Sequence, residues 1–413
     1  MSNESKVGQG RLERKLQVRD FKLNALLDIT MAVNNNVGVE EILEKYRQTL
    51  QNPPLNISKL LLFSRFEKWQ CILKFGVTSE IPEIEDQDLF SESGVDSFTL
   101  SNQSKQESLN VRIPVYHEEE PIAYVLVGDV EESAGISPVI KHMKFIQTFT
   151  NLIVVAIKNR QLVEENLRQE RVKKELELAA EMQAMLVPNR LPSDELFDVS
   201  AIYKPHQQVG GDYYDFIEFN KDEVMFCVAD VSGKGVSAAF LMSNFQAYLM
   251  AIFRYLDFDL DRIVYELNAR VMQSAMGEKY ITLFIATYNK KTRELNYVNC
   301  GHNPPVLLQP DGKESWLTEG SIGLGMFDEI PVMTMGKKII KPGTLVVCYT
   351  DGLVELEDEN LEEFGTARLE QITRDNFNLS MEDLNAKIML ELNKFRGEMP
   401  YIDDTALLSC RFL

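Results

Sequence analysis

The chain is 413 residues long, enough for two or three domains at roughly 100–200 residues each. It carries 43 Lys and Arg against 63 Asp and Glu, a net charge of −20 at pH 7. That balance argues against nucleic acid or an anionic membrane surface as the main partner, since both need a basic footprint. Hydrophobic residues at 45% and charged residues at 26% are ordinary globular usage and exclude a disordered, collagen-like or disulfide-scaffold chain.

The first segment, residues 1–20, reads as a charged tail or the start of a helix, with no apolar stretch of the kind a secretory signal needs. Pure apolar runs such as Leu152–Ile157 fall far short of the ~20 residues of a membrane span, so a cytoplasmic protein is expected. From Phe21 the pattern predicts two helices joined by NNNVG, then a hairpin over SKLLLFSRFEKWQCILKFGV after Pro53-Pro54. Residues 78–109 are acidic and Ser-rich and suggest variable loops or short irregular pieces. A second hairpin is expected from LNVRIPVY through the turn HEEEP to IAYVLVGDV. Together these describe an α+β domain over residues 21–157.

No proline or glycine interrupts residues 139–186, which predicts one long helix, and residues 158–187 read as a linker. Leu162, Val172, Leu176, Ala179 and Leu186 fall near a 3–4 repeat that Glu165, Asn166 and Gln169 interrupt. Polar residues at seam positions can set register, so a helix paired across a homodimer is one expectation and a solvated linker helix the other. Beyond Pro188 and Pro192, residues 188–413 alternate strand-like runs with helical stretches, which predicts layered sheets covered by helices. The cysteines Cys71, Cys227, Cys300, Cys348 and Cys410 show no CxxC spacing, and Cys227, Cys348 and Cys410 lie in apolar runs, as buried free thiols do.

The chemistry-bearing residues are aspartates at the ends of apolar strands. Residues 224–229 deliver Asp230 into the turn Ser232-Gly233-Lys234-Gly235, and residues 345–349 deliver Asp351 in a Thr-Asp-Gly turn. Asp403 and Asp404 precede the last strand, and Asp212 and Asp215 flank another strand start. Taken singly, Asp351 is a turn residue, Asp230 a helix cap and Asp403-Asp404 a solvated loop. Asp212 and Asp215, three apart, cannot face one site from a regular strand. Brought together, such carboxylates repel, and divalent cations relieve that repulsion. Oxygen-only ligation favours Mg²⁺ or Mn²⁺ over zinc, and two such ions suit phosphate-ester hydrolysis by water. The Ser232–Gly235 turn is similar to a phosphate-binding loop, but Val228 and Gly235 stand where a Walker motif needs Gly and Ser or Thr. His117, His142, His206 and His302 are scattered, which supports neither a His-based metal site nor a Ser-His-Asp triad, and His302 reads as a turn residue.

In order, AEMQAMLVP (180–188), VGGDYYDF (209–216), VADVSGKGVSAA (228–239), FIATY (284–288), YVNCGHNPP (297–305), YTDGLVE (349–355) and DDTALL (403–408) resemble the SpoIIE/RsbU-type branch of the PPM (PP2C-like) serine/threonine phosphatases. The resemblance implies a PPM-type αββα sandwich over 188–413 that hydrolyses phosphoserine or phosphothreonine on a partner protein with a water activated by two Mn²⁺ or Mg²⁺ ions. It implies that Asp230 bridges the ions, that the Val231 carbonyl contributes, and that Asp351 and Asp403 ligate with Asp212 assisting. Asp404 stands as the alternative to Asp403. The phosphate-gripping arginine of eukaryotic relatives has no counterpart here. Val187 replaces a common Leu, and the stretch after Thr350-Asp351-Gly352 is unusually acidic. Residues 21–157 resemble a GAF domain, with a PAS-like fold as runner-up. In such proteins a sensory domain controls the phosphatase through the linker helix, and the substrate is often a phosphorylated STAS-domain protein. A catalytically silent adaptor on the same fold is the alternative.

Overall fold

The computed structural model describes residues 2–66, 68–79, 81, 98–102, 105–109, 111–117, 120–128, 138–255 and 259–413. The chain divides into two compact units, Met1–Glu170 and Arg171–Leu413.

In the first unit, helix α1 (Ser2–Asn34) runs through residues 2–20, so of the two readings, charged tail or start of a helix, the structure has the helix. No proline precedes Pro53, and Leu12 and Leu16 continue the helical pattern that resumes at Phe21. After α2 (Val39–Gln51) come β1 (Lys59–Arg65) and β2 (Trp69–Phe75), the first expected hairpin. The second is β5 (Val111–His117) with β6 (Glu120–Gly128), though residues 118 and 119 of its turn lie outside the described residues. Most of the expected loop, residues 82–97, also lies outside them. Its end does not: β3 (Phe98–Asn102) and β4 (Lys105–Leu109) pair antiparallel, a correction to the irregular pieces expected there. The main sheet has the order β2-β1-β6-β5. Alternation along β1 sends Leu60 and Leu62 to a core with Tyr46, Leu50, Phe149 and Ile153, and Leu61 and Phe63 to a second one with Tyr124 and Leu126. Inside the larger core the Tyr46 hydroxyl lies 2.6 Å from Thr150 Oγ1, so neither buried hydroxyl is left unsatisfied.

Helix α3 (Pro138–Ala184) is the long helix read from the sequence. Residues 161–175 are all exposed, Leu162, Val163, Leu167 and Val172 among them. Leu186, by contrast, packs into the core of the second unit and so leaves the expected seam.

The second unit is two antiparallel-rich sheets face to face with helices outside. One sheet joins β8 (Tyr213–Glu218), β9 (Glu223–Val231), β10 (Ile281–Asn289), β11 (Glu294–Cys300) and β14 (Gly320–Ser321) in that order, with β15 (Gly336–Ile339) also on β11. The other has the order β13-β12-β16-β17-β7, with β7 at Phe197–Lys204, β12 at Val306–Leu308, β13 at Glu314–Trp316, β16 at Thr344–Tyr349 and β17 at Thr405–Phe412. Strand parity separates three cores. Val224, Phe226 and Val228 of β9 meet Val346, Cys348, Leu408 and Cys410 between the sheets. Met225, Cys227 and Ala229 face helices α4 (Val236–Tyr255) and α5 (Leu260–Ala275). Leu345, Val347 and Tyr349 of β16 face α7 (Gly365–Asp375) and α8 (Met381–Arg396), which follow the short α6 (Asp351–Val354).

Helix α4 is long and apolar enough over Val236–Arg254 to cross a membrane by length and composition. It instead buries Ala238, Leu241, Met242, Phe245 and Leu249 in the core under its own sheet. The thiols of Cys227, Cys300, Cys348 and Cys410 are free and buried. Desolvation pushes all four above the ordinary thiol range, which leaves them unreactive.

Candidate metal centre

The site lies where the strands of the two facing sheets end. On β9 the inter-sheet positions are 224, 226 and 228, and Asp230 takes the next one. The β8–β9 register pairs Tyr213 with Ala229 and Tyr214 with Val228, so Asp212 comes opposite Asp230 across the pair. Like charges directly opposite are destabilising, and here both are also withdrawn from water. From the other sheet, β16 ends at Tyr349 and leads through Thr350 into Asp351, while Asp403 and Asp404 precede its neighbour β17.

The structure thus brings Asp212, Asp230, Asp351, Asp403 and Asp404 into mutual electrostatic contact. Burial first, then the Asp230 charge, pushes the Asp212 carboxyl well above the usual carboxylate range. Burial and Asp351 push Asp230 up to about 7. Asp351 is raised by burial and Asp403, with the Lys234 charge working the other way. Asp215 is elsewhere, as strand parity requires: it accepts from the Tyr213 hydroxyl and from the Phe216 amide at 2.7 Å.

The adjacent pair at the start of β17 is divided in its roles. Asp404 is buried, and its two oxygens accept from the backbone amides of His206 (2.7 Å) and Gly211 (2.6 Å). Asp403 is more exposed and turns Oδ2 to Lys234 Nζ at 2.8 Å. Val231 buries its side chain under the helices, and a Cβ on Gly211 would stand 3.0 Å from its carbonyl oxygen, so glycine there leaves room beside that oxygen. His302 donates its amide to Asn299 and lies 2.9 Å through Nδ1 from Thr282 Oγ1, a structural turn residue beside the site.

Among the described residues, no three acidic, His or Cys side chains as they stand converge on a point that would hold an ion. The hydrogen bonds explain why. Asp403 is held by Lys234, Asp404 by two amides, and Asp212 Oδ2 by the Thr350 hydroxyl at 2.7 Å. The donor set still fits a hard divalent cation: it is oxygen-only, partly buried, and strained by its own charge. For Asp403 to join such a set, its Oδ2 would have to exchange Lys234 for the ion.

Three contributors escaped sequence reasoning. Thr350 links Asp212 to the Ala406 amide, which reaches its Oγ1 at 2.8 Å. Gln183, in the last turn of α3, clasps Gly210 from both sides, donating to its carbonyl at 2.7 Å and accepting from its amide at 3.1 Å. A Cβ on Gly210 would collide with the Tyr203 hydroxyl and Asp404, so the clasp needs glycine. Lys234 is the third. A Gln between Met182 and Ala184 at the end of a long helix, and a lysine set between two glycines, were the available signals.

Residues 220–413 match the family described as Stage II sporulation protein E (SpoIIE). Over 193 residues the chain is 31% identical to phosphoserine phosphatase RsbU of Bacillus subtilis (strain 168), covering 46% of this chain and 57% of that protein. Over 243 residues it is 25% identical to phosphoserine phosphatase RsbP of the same organism, covering 57% of each. The chain therefore spans about half the length of these curated relatives. Among solved structures, the SiaA-PP2C domain of Pseudomonas aeruginosa superposes with a TM-score of 0.53 at 22% identity, over 60% of this chain and 99% of that one. Residues 220–413 thus match the SpoIIE family model, and the C-terminal unit has the fold of a PP2C-type phosphatase domain.

Proposed function

We propose that the C-terminal unit is a metal-dependent protein serine/threonine phosphatase acting on phosphoserine or phosphothreonine of a partner protein. The observation that carries this is the meeting of Asp212, Asp230, Asp351 and Asp403 at one end of the inter-sheet layer, with burial and like charge raising the first three. Two Mn²⁺ or Mg²⁺ ions held by Asp212, Asp230, the Val231 carbonyl, Asp351 and Asp403 would supply an activated water and polarise the phosphoryl oxygens. Asp404 is assigned the positioning of the segment before Asp212, because both its oxygens are already used by backbone amides. In the hydrolysis a water O–P bond forms, the P–O bond to the seryl oxygen breaks, and that oxygen takes a proton, leaving a hydroxyl and inorganic phosphate. The buried, unreactive thiols fit a reaction without a protein nucleophile.

The relatives' printed activity supports phosphoserine as substrate, and a phosphorylated STAS-domain protein is the partner to test first. In this reading the protein is cytoplasmic, and residues 21–157 are a GAF-like sensory domain that controls the phosphatase. Homodimerisation runs through that domain and the linker helix, whose residues 161–175 are wholly exposed within one protomer. The test is Mn²⁺-dependent phosphate release from a phosphoserine protein by the full chain and by Asp230→Ala. Release that needs metal and vanishes in the variant supports the reading. Metal binding without turnover on a verified substrate overturns it in favour of a silent adaptor.

A further inference from the structure

The phosphatase reading leaves open what receives the phosphate, since a phosphoserine dianion must approach an acidic site. Among the described residues, none of the hydrogen bonds or ion pairs of Asp212, Asp230, Asp351, Asp403 and Asp404 involves an arginine. One basic side chain is paired with the cluster among the described residues: Lys234, through Asp403 at 2.8 Å.

Its loop is tied to the neighbouring strand, while its head group is partly open to solvent. Ser232 donates its amide to the carbonyl of Tyr280, the residue just before β10, at 2.9 Å. The Ser232 hydroxyl accepts from the Tyr280 amide, also at 2.9 Å, and the Ser232 carbonyl from Lys279 Nζ at 2.9 Å. Gly233 and Gly235 adopt φ of +86° and +74°, a left-handed region that other residues rarely enter, so they set the direction in which Lys234 leaves the loop. Its Nζ meets Asp403 and the Ile402 carbonyl (2.6 Å), yet the side chain is 45% exposed. An ion pair this exposed is worth little, so it is easily exchanged.

Charge count completes the argument. Two divalent ions neutralise four of the five carboxylates, and a dianion would then arrive at a site still negative. Lys234 supplies the remaining charge, and it is the group that Asp403 must release before it can ligate. We propose that Lys234 holds the phosphoryl oxygens of the substrate, exchanging Asp403 for phosphate when a divalent ion takes that carboxylate. This rests on the phosphatase reading and adds to it the residue that grips the phosphate. A lysine serves here as a mobile point charge, in contrast to the planar fork of an arginine.

The experiment compares full-length wild type, Lys234→Met and Lys234→Arg in three measurements: Mn²⁺ binding by electron paramagnetic resonance, calorimetric binding of inorganic phosphate to the Mg²⁺-loaded proteins, and turnover of p-nitrophenyl phosphate with Mn²⁺. Losing a charge-assisted contact is expected to raise KM and weaken phosphate binding at least ~10-fold in Lys234→Met. Lys234→Arg should recover most of both, and Mn²⁺ should bind Lys234→Met as tightly as wild type or tighter, since its competitor for Asp403 is gone. KM and phosphate affinity within about twofold of wild type, with Mn²⁺ bound and unchanged melting, would show that Lys234 only neutralises Asp403 and overturn the proposal. No turnover by Mn²⁺-loaded wild type overturns the phosphatase reading instead. Phosphate binding then still decides Lys234: equal affinities sink it, and a loss in Lys234→Met supports it.

Discussion

The middle and the end of the inter-sheet layer are built by the same strands and differ in everything else. In the middle, Phe226 packs against Phe284 and Phe412, with Cys348 and Cys410 alongside, and every side chain is buried. Four residues further along β9, the same alternation presents Asp230, opposite Asp212 and beside Asp351. The first region stabilises the fold by removing apolar surface from water; the second works against it by burying like charges. What the contrast teaches is that strand period places a side chain without regard to its chemistry. A charge retained at such a position is a site held at the expense of stability.

Replacing one residue from each region tests that contrast most severely. Asp230→Ala is expected to lower turnover at least ~10³-fold, about 4 kcal/mol in barrier, with the fold kept. Phosphate release and circular dichroism check it, and turnover within tenfold of wild type would remove Asp230 from the site. Phe226→Ala should do the reverse, costing about 3–5 kcal/mol of stability in urea unfolding through the cavity it leaves. A cost under 1 kcal/mol would mean that the layer collapses around the gap.

Next in size is the response to metal. An ion at about 100 times its Kd should stabilise the protein by about 2.7 kcal/mol, about 5–10 °C in the melting of a unit this size. Asp230→Ala should lose most of that shift. The same comparison has a pH dependence in the absence of metal. The folded-state pKa of Asp230 is raised to about 7 from the ordinary 3.8, so the native form binds the extra proton between those values. Stability of wild type should therefore fall as pH rises from about 4 to 7, relative to Asp230→Ala, and the gap should stay level above it. A gap that is constant across the range would mean that burial does not penalise this carboxylate.

The smallest expected effect separates positioning from ligation. Thr350→Val keeps the shape but removes the hydroxyl shared by Asp212 and the Ala406 amide. It should cost about 1–3 kcal/mol and weaken Mn²⁺ binding more than it changes KM. Unchanged metal affinity would show that Asp212 needs no such partner.

Some of this was legible from residue order alone. The helix over residues 139–186, both long hairpins of the first unit and the aspartates at strand ends follow from period and punctuation, which are local properties. The ordered motifs from residues 180 to 408 pointed to the family that the comparisons report. Of the two readings of residues 1–20, charged tail or start of a helix, the structure has the helix, and composition did not decide between them because a charged surface is compatible with helix as well as with coil. The seam position given to Leu186 failed because period does not say which partner a helix face will meet.

The sequence by itself determined which carboxylates reach the ends of buried strands, because strand parity is written residue by residue. Only the tertiary structure decided how neighbours in that set divide the work. Asp403 and Asp404 are indistinguishable as letters. They part company because the amides of His206 and Gly211 stand beside one, and the Lys234 ammonium, on a loop some 170 residues earlier, stands beside the other. Hydrogen bonds between segments so far apart depend on the closing of two sheets, and no local pattern encodes them.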